Sequence, residues 1–240
     1  MFTGQGTSPC GGADCAIESS ALRALKSQAK FHRYAFLTPS RSIAADLKNL
    51  ILPLENAGRV DVVIGDPNRE KALRQLLDSL PRSASGLVFI DPHGYRKLKW
   101  STLEKLAQHA RNWQNQKVDL LIIFPIEMAL LRNLTRRECA DSLTAFFGNR
   151  LWEDIRRQMQ MPKKASPDDI KYKLVEIYKD GLRNLGYRYV EDFKPASPAP
   201  SPYYHLIYAG DTQSRKLLIK DAWGKSRFLR CELLYRAKQK

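Results

Sequence analysis

Asp91-Pro92-His93-Gly94 sets an acid, a rigid proline, an imidazole and a flexible glycine in four consecutive positions. Such a turn after a strand presents polar groups toward a cleft. It also suits an ordinary strand-to-helix turn, although no core requires both an Asp and a His there. Gly65-Asp66-Pro67-Asn68 is a second acidic turn. Its Asp66 carboxylate can accept a hydrogen bond from an exocyclic amine such as that of adenine, while Asp66 or Asn68 serves equally well as a helix N-cap. Gly4 and Gly6, in Phe2-Thr3-Gly4-Gln5-Gly6, let a backbone approach a ligand that a Cβ would exclude, or belong to an ordinary N-terminal stretch. Arg136, Arg137, Arg150, Arg156, Arg157, Lys163 and Lys164 form the densest run of positive charge, and a groove lined this way tracks a phosphate backbone.

These residues need elements to position them. Four short apolar runs, 34–37, 60–64, 87–90 and 118–124, end in turn-forming or acidic residues or at Pro125. Unbroken β-branched and aromatic runs of this length predict parallel strands covered on both faces. Between them, residues 42–54, 68–80 and 101–113 carry apolar side chains at helical spacing, with Ser42 and Ser101 as expected N-caps and Glu104 completing a capping box. Alternation of this kind predicts βαβ units in an open, mostly parallel α/β sheet whose ligands sit beyond the carboxyl ends of the strands. In the last third the pattern predicts a basic helical region at 143–161, a helix at 168–185 and two aromatic-rich strands at 187–193 and 203–209. A four-proline linker, 194–202, joins those strands, which are expected to pair like a hairpin at one side of the sheet. The tail, 225–240, reads as a basic helix or a frayed end.

A chain of 240 residues fits one large α/β domain, and 1–240 is read as a single domain with a basic helical insertion at about 143–185. Forty Lys and Arg against twenty-five Asp and Glu give a net charge of +15, which makes nucleic acid the first partner to consider beside a merely solvated basic surface. Cys10, Cys15, Cys139 and Cys231 show no framework spacing and follow no signal-peptide pattern, so free thiols in a cytoplasmic protein are expected, with no metal site. No apolar run reaches the roughly eighteen residues a membrane helix needs.

In this order along the chain, the motifs resemble those of the three-Cys-motif partner family of class I S-adenosylmethionine-dependent methyltransferase-like proteins. Residues 2–6 resemble the family's Phe-Ala-Gly-Pro-Gly loop, and 18–25 its Gly-Ser-Pro-Leu-Arg-Ala-Leu stretch. Residues 88–94 resemble its Asp-Pro-aromatic-Gly turn, with 100–103 following; 119–125 are similar to its fifth strand, Phe146, Gly148 and Trp152 to later landmarks, and 203–209 to its closing strand. The resemblance implies a Rossmann-like methyltransferase sheet, mostly parallel with an antiparallel closing strand and helices on both faces. It places Gly4 and Gly6 near the methionine part of S-adenosyl-L-methionine, Asp66 near its adenine, and Asp91, Pro92, His93 and Gly94 toward the substrate. The chain departs from the family pattern twice. Met1 stands directly before Phe2, so the first strand is expected to be truncated, and the second strand ends with only Thr38 or Ser40 where the family has an acid for the ribose hydroxyls.

Two functions follow from these expectations. One is methyl transfer from S-adenosyl-L-methionine to nucleic acid, with Asp91 holding or deprotonating the acceptor and His93 assisting. Tyr95 and Trp100 would then stack on a flipped base, although both equally suit a core or groove wall, and Arg156, Arg157, Lys163 and Lys164 would hold phosphates. The other is a non-catalytic accessory protein that keeps the sheet and works with a three-Cys-motif protein partner. A nuclease would need clustered carboxylates, of which only Asp66 and Asp91 are expected near each other.

Overall fold

The computed structural model describes residues 7–9, 16–28, 31–54, 57–81, 84–92, 94–109, 116–126, 130–161, 166–194 and 204–237, with 7–9, 16–18 and 226–237 described in backbone only. The fold is mixed α/β, and the chain divides into two compact units, Met1–Ala84 and Ser85–Lys240.

In the first unit, β1 (Thr7–Pro9) and β2 (Ala16–Glu18) pair antiparallel and lead into α1 (Ser20–Lys26). The Ser19 hydroxyl caps α1 by accepting the Leu22 N–H. Next come β3 (Tyr34–Thr38), α2 (Arg41–Ile51), β4 (Val60–Ile64) and α3 (Glu70–Asp78). The two apolar runs read as strands pair in parallel, from Tyr34 beside Val60 to Thr38 beside Ile64. Their core gathers Ala21, Leu25, Tyr34, Phe36, Leu47 and Ile51, and truncating a fully buried leucine such as Leu47 to Ala costs about 2–5 kcal/mol.

Capping corrects three sequence expectations in the two units. Helix α2 is capped by Ser40, whose hydroxyl accepts the Ile43 N–H, so Ser42 lies inside the first turn. The N-cap of α3 is Arg69, one residue beyond Asn68, so neither Asp66 nor Asn68 caps it. The third helix starts one residue before Ser101, with Lys99 as an N-cap that makes no side-chain capping bond, so no capping box forms with Glu104. A serine outside the helix can turn its oxygen onto the open N–H groups; one already inside it cannot.

The second unit runs β5 (Leu87–Ile90), α4 (Trp100–Gln108), β6 (Asp119–Phe124), the single turn α5 (Leu131–Asn133), α6 (Ala140–Phe147), α7 (Trp152–Met159), α8 (Pro167–Asn184), β7 (Tyr189–Phe193), β8 (His205–Gly210) and α9 (Gln213–Ala237). Its sheet has the order β5-β6-β8-β7. Strands β5 and β6 are parallel, while β8 runs antiparallel to both β6 and β7, so β7 points the same way as β6. Instead of one open sheet, the described residues form an antiparallel pair, a parallel pair and this mixed four-stranded sheet.

Side-chain alternation gives the four-stranded sheet two packed faces. Phe193, Leu206 and Tyr208 form one with Phe89, Leu121, Ile123 and Tyr189, covered by Ile219 and Trp223 of α9. On the other, Phe124 meets Phe146, Phe147 and Tyr178, with Phe146 and Tyr178 stacked at 5.0 Å. The region 143–161, expected as one basic helical stretch, is two helices. Gly148 ends α6 at φ 72°, a left-handed geometry that favours glycine. The Ser166 hydroxyl caps α8 by accepting the Asp169 N–H, and Pro167 opens its first turn. The tail helix begins at Gln213, well before the expected 225.

Candidate functional site

Chemistry in an open α/β sheet belongs at the carboxyl ends of the strands. In the first unit β3 and β4 end side by side, and the Gly65 N–H donates to the Thr38 carbonyl at 2.9 Å. A Cβ on Gly65 would stand 2.5 Å from that of Ala72, so only glycine lets this turn lie against α3. Asp66 is exposed beyond it. Its Oδ1 accepts both the Asn68 N–H and the Asn68 amide, each at 2.9 Å, which fixes the carboxylate at the strand end. Thr38 is 0% exposed, and its hydroxyl accepts the Ser40 N–H at 3.4 Å. Gly4 and Gly6 lie outside the described residues.

In the second unit Asp91 follows β5 and is half-buried, Pro92 is buried, and His93 lies outside the described residues. Gly94 takes φ 102° with open space where a Cβ would stand, so backbone conformation rather than crowding calls for glycine. Tyr95 is 1% exposed, and its phenol lies 3.2 Å from the Ser142 hydroxyl and accepts Arg96 Nε–H at 3.1 Å. Arg96 also donates to the buried Cys139 Sγ at 3.0 Å.

Trp100, 7% exposed, packs edge-on against Tyr178 at 5.1 Å. Gly148 and Gly181 press on its indole so closely that a Cβ on either would overlap the ring. Tyr95 and Trp100 thus stand as core aromatics, and neither offers an open face to a base.

The basic stretch is partly neutralised by its own sequence neighbours. Arg157 pairs with Asp154, Arg150 with Glu153 at 3.8 Å, and Arg156 lies 5.3 Å over the Trp152 ring. Lys163 and Lys164 lie outside the described residues.

Two buried polar networks in the second unit escape the sequence reading. At the carboxyl end of the sheet, His205 opens β8 directly opposite Phe124, the last residue of β6. Its Nδ1 lies 3.1 Å from Asp192 Oδ2, while Lys179 Nζ donates to Asp192 Oδ1 at 2.8 Å and to Glu176 Oε1 at 2.7 Å. The His205 bond, with help from Lys179, outweighs burial and holds the Asp192 carboxyl well below the usual carboxylate range. Burial alone would lower the Lys179 pKa, but the hydrogen bonds to Asp192 and Glu176 raise it.

At the amino end, Asp119 Oδ2 accepts the Tyr208 hydroxyl at 3.2 Å and pairs with Arg215 Nε at 3.0 Å, leaving a buried Oδ1 with no side-chain donor among the described residues. Burial pushes the Asp119 carboxyl up to about 6, against the pull of Arg215. Nearby, Lys117 donates its N–H to Asp211 Oδ2 at 2.8 Å and its ammonium to the Gly186 carbonyl at 2.8 Å. A signal for both networks was present in the sequence, as charged residues inside apolar runs: Asp119 heads one strand, His205 heads another, and Asp192 interrupts a third.

Fold and site together define an α/β protein with acidic turns at two strand ends and a histidine–aspartate pair at the same end of the second sheet. No family model matches the chain, and no curated protein matches it. Among the described residues no helix is long and apolar enough to cross a membrane.

Proposed function

We propose that this protein is a methyltransferase of the class I type that transfers the methyl group of S-adenosyl-L-methionine to nucleic acid. The observation that carries the reading is the sheet β5-β6-β8-β7, in which the closing strand β8 runs antiparallel between two strands that point the same way. An antiparallel closing strand is what the resemblance to the three-Cys-motif partner family implies, so this order supports the reading of a Rossmann-like methyltransferase sheet. The acidic turn after β5 supports an acceptor site, and the net charge of +15 supports a polyanionic substrate.

Asp66 suits the adenine end of the cofactor, because an exposed carboxylate held in place by Asn68 can accept from the exocyclic amine. Thr38 does not suit the ribose, since its hydroxyl is buried and already accepts a backbone N–H. When bound, S-adenosyl-L-methionine supplies an electrophilic methyl group. Asp91 would orient the acceptor and draw on its proton, and Arg156 with Arg157 would contact phosphates.

Labelled S-adenosyl-L-methionine should bind the purified chain, and Asp66→Ala should weaken binding roughly ten-fold or more. Asp91→Asn should keep binding and slow transfer to nucleic acid roughly a hundred-fold. Transfer at the wild-type rate by that variant would sink the role given to Asp91.

The buried Thr38 hydroxyl favours a second reading, an accessory protein that keeps the sheet without using the cofactor and works with a three-Cys-motif partner. Absence of any S-adenosyl-L-methionine binding by the wild-type chain decides for it.

A further inference from the structure

The loop after β5 carries an arginine whose place is fixed by neutral groups. Arg96 lies in a 3₁₀ turn, Tyr95–Lys97, shortly after Asp91 and Pro92 in the chain. Its Nε–H donates to the Tyr95 phenol at 3.1 Å and its Nη2 to Cys139 Sγ at 3.0 Å, while the residue stays exposed. A guanidinium carries five N–H donors in one plane, so these two bonds set its orientation and leave its other donors unused by them. Arg33, Arg74, Arg157, Arg183 and Arg215 each meet a carboxylate instead. A phenol and a thiol cancel no charge, so Arg96 keeps its positive field.

The bond to Cys139 brings a second basic segment alongside. Cys139 closes the 3₁₀ turn Arg137–Cys139, and its N–H donates back to the Arg136 carbonyl at 3.2 Å. Such a turn rises about 2 Å per residue, so the Arg96 guanidinium stands roughly one turn from the backbone that bears Arg136 and Arg137. The Tyr95 hydroxyl, 3.2 Å from that of Ser142, and the Tyr95 ring, edge-on to Phe146 at 6.0 Å, tie the same two segments together. Arg96, Lys97, Lys99, Arg132, Arg136 and Arg137 are exposed on the joined segments, against the exposed acids Glu138 and Asp141. None of the large exposed apolar side chains belongs to either segment, which argues against a membrane surface, where apolar groups must insert.

We propose that Arg96, Arg136 and Arg137 form a phosphate-binding surface that seats the backbone of a nucleic acid beside the Asp91 turn. Its placement beside an acceptor rests on the methyl-transfer reading above. Planar guanidinium forks match phosphate oxygens. Because Arg96 is already ordered by Tyr95 and Cys139, a phosphate meets it with little further loss of side-chain freedom.

The test follows the anisotropy of fluorescein-labelled DNA and RNA oligonucleotides over a salt series. Arg96→Gln, Arg136→Gln and Arg137→Gln combined should weaken binding roughly ten-fold or more and flatten the slope of log affinity against log salt by about 2–3, the value for three lost phosphate contacts. Arg33→Gln, Arg74→Gln and Arg183→Gln combined remove the same charge from arginines that face carboxylates, and should stay within roughly three-fold of wild type with the slope kept. On the wild-type chain, phenylglyoxal modifies reachable guanidiniums, and bound oligonucleotide should protect the peptides that bear Arg96, Arg136 and Arg137. Should the first triple variant fail to fold, this footprint decides.

Equal losses in the two triple variants reduce the effect to overall charge and overturn the assignment, as does an unprotected footprint. Phosphatidylserine vesicles that bind wild type and are lost by the first triple variant, with DNA and RNA binding kept, overturn it in favour of a membrane surface. A wild-type chain that binds nucleic acid as expected but no S-adenosyl-L-methionine defeats the methyl-transfer reading and leaves this surface standing; one that binds neither DNA nor RNA defeats both.

Discussion

At the amino end of the four-stranded sheet Asp119 meets a phenol and a guanidinium, while at the carboxyl end Asp192 meets an imidazole and an ammonium. Asp119 is buried and Asp192 half-buried, each with a cation beside it, yet the first is pushed up to about 6 and the second is held well below the usual range. The difference lies in how the donors are shared. Tyr208 and Arg215 both reach Asp119 Oδ2, while its buried Oδ1 meets no side-chain donor among the described residues and the nearby Asp211 carboxylate adds to the effect of burial, whereas His205 and Lys179 take one oxygen of Asp192 each. An ionised carboxylate survives burial when both oxygens are satisfied; a nearby cation on one oxygen does not suffice.

The contrast breaks most sharply at Lys179. Replacing it with Met leaves the half-buried Asp192 and Glu176 without their shared ammonium, and the expected loss is about 3 kcal/mol in urea unfolding, the low end for a broken buried pair. A loss below about 1 kcal/mol would mean that the cluster is solvated rather than dry.

Next in size is the pH dependence at Asp119, whose carboxyl rises from 3.8 to about 6 on folding. Between those values the folded state keeps a proton that the unfolded chain has released, so this group makes the unfolding free energy fall as pH rises from about 4 to 6. The integrated effect is roughly 3 kcal/mol. Asp119→Asn removes the proton exchange, and its stability should change less than wild type across that window. Asp192 works in the opposite sense and lower down, its contribution being complete above about pH 4 and lost below it. Parallel curves for wild type and Asp119→Asn from pH 4 to 6 would refute the raised carboxyl.

The smallest effect belongs to Tyr208. Tyr208→Phe removes one donor to Asp119 and should cost about 1.5–3 kcal/mol at pH 8, where that donor meets a charge, and about 1 kcal/mol at pH 4, where it meets a neutral acid. A cost independent of pH would place the phenol elsewhere than on the carboxylate.

Legibility from sequence tracked the range of the interaction. The runs 60–64 and 87–90 stand as β4 and β5 at the expected residues, because unbroken β-branched and aromatic side chains declare a strand locally. Helix N-caps fell at Ser40 and Lys99 rather than Ser42 and Ser101, since a single side-chain oxygen or its absence settles the first turn. Asp91 and Asp66 were visible as acids just after strands. His205 with Asp192, and Asp119 with Tyr208 and Arg215, were not, for each network joins residues on separate elements that only the fold brings together.

The clamp of Gly148 and Gly181 on the Trp100 indole also makes that ring an optical probe. The four tryptophans stand at 100, 113, 152 and 223, all in the second unit. Emission excited at the red edge of the indole band therefore watches the second unit and is blind to the first, whose buried aromatics are Tyr34 and Phe36. Loss of far-ultraviolet ellipticity with the emission maximum unmoved would be the first unit melting alone, and a red shift would time the exposure of the second unit's buried indoles, Trp100 and Trp152.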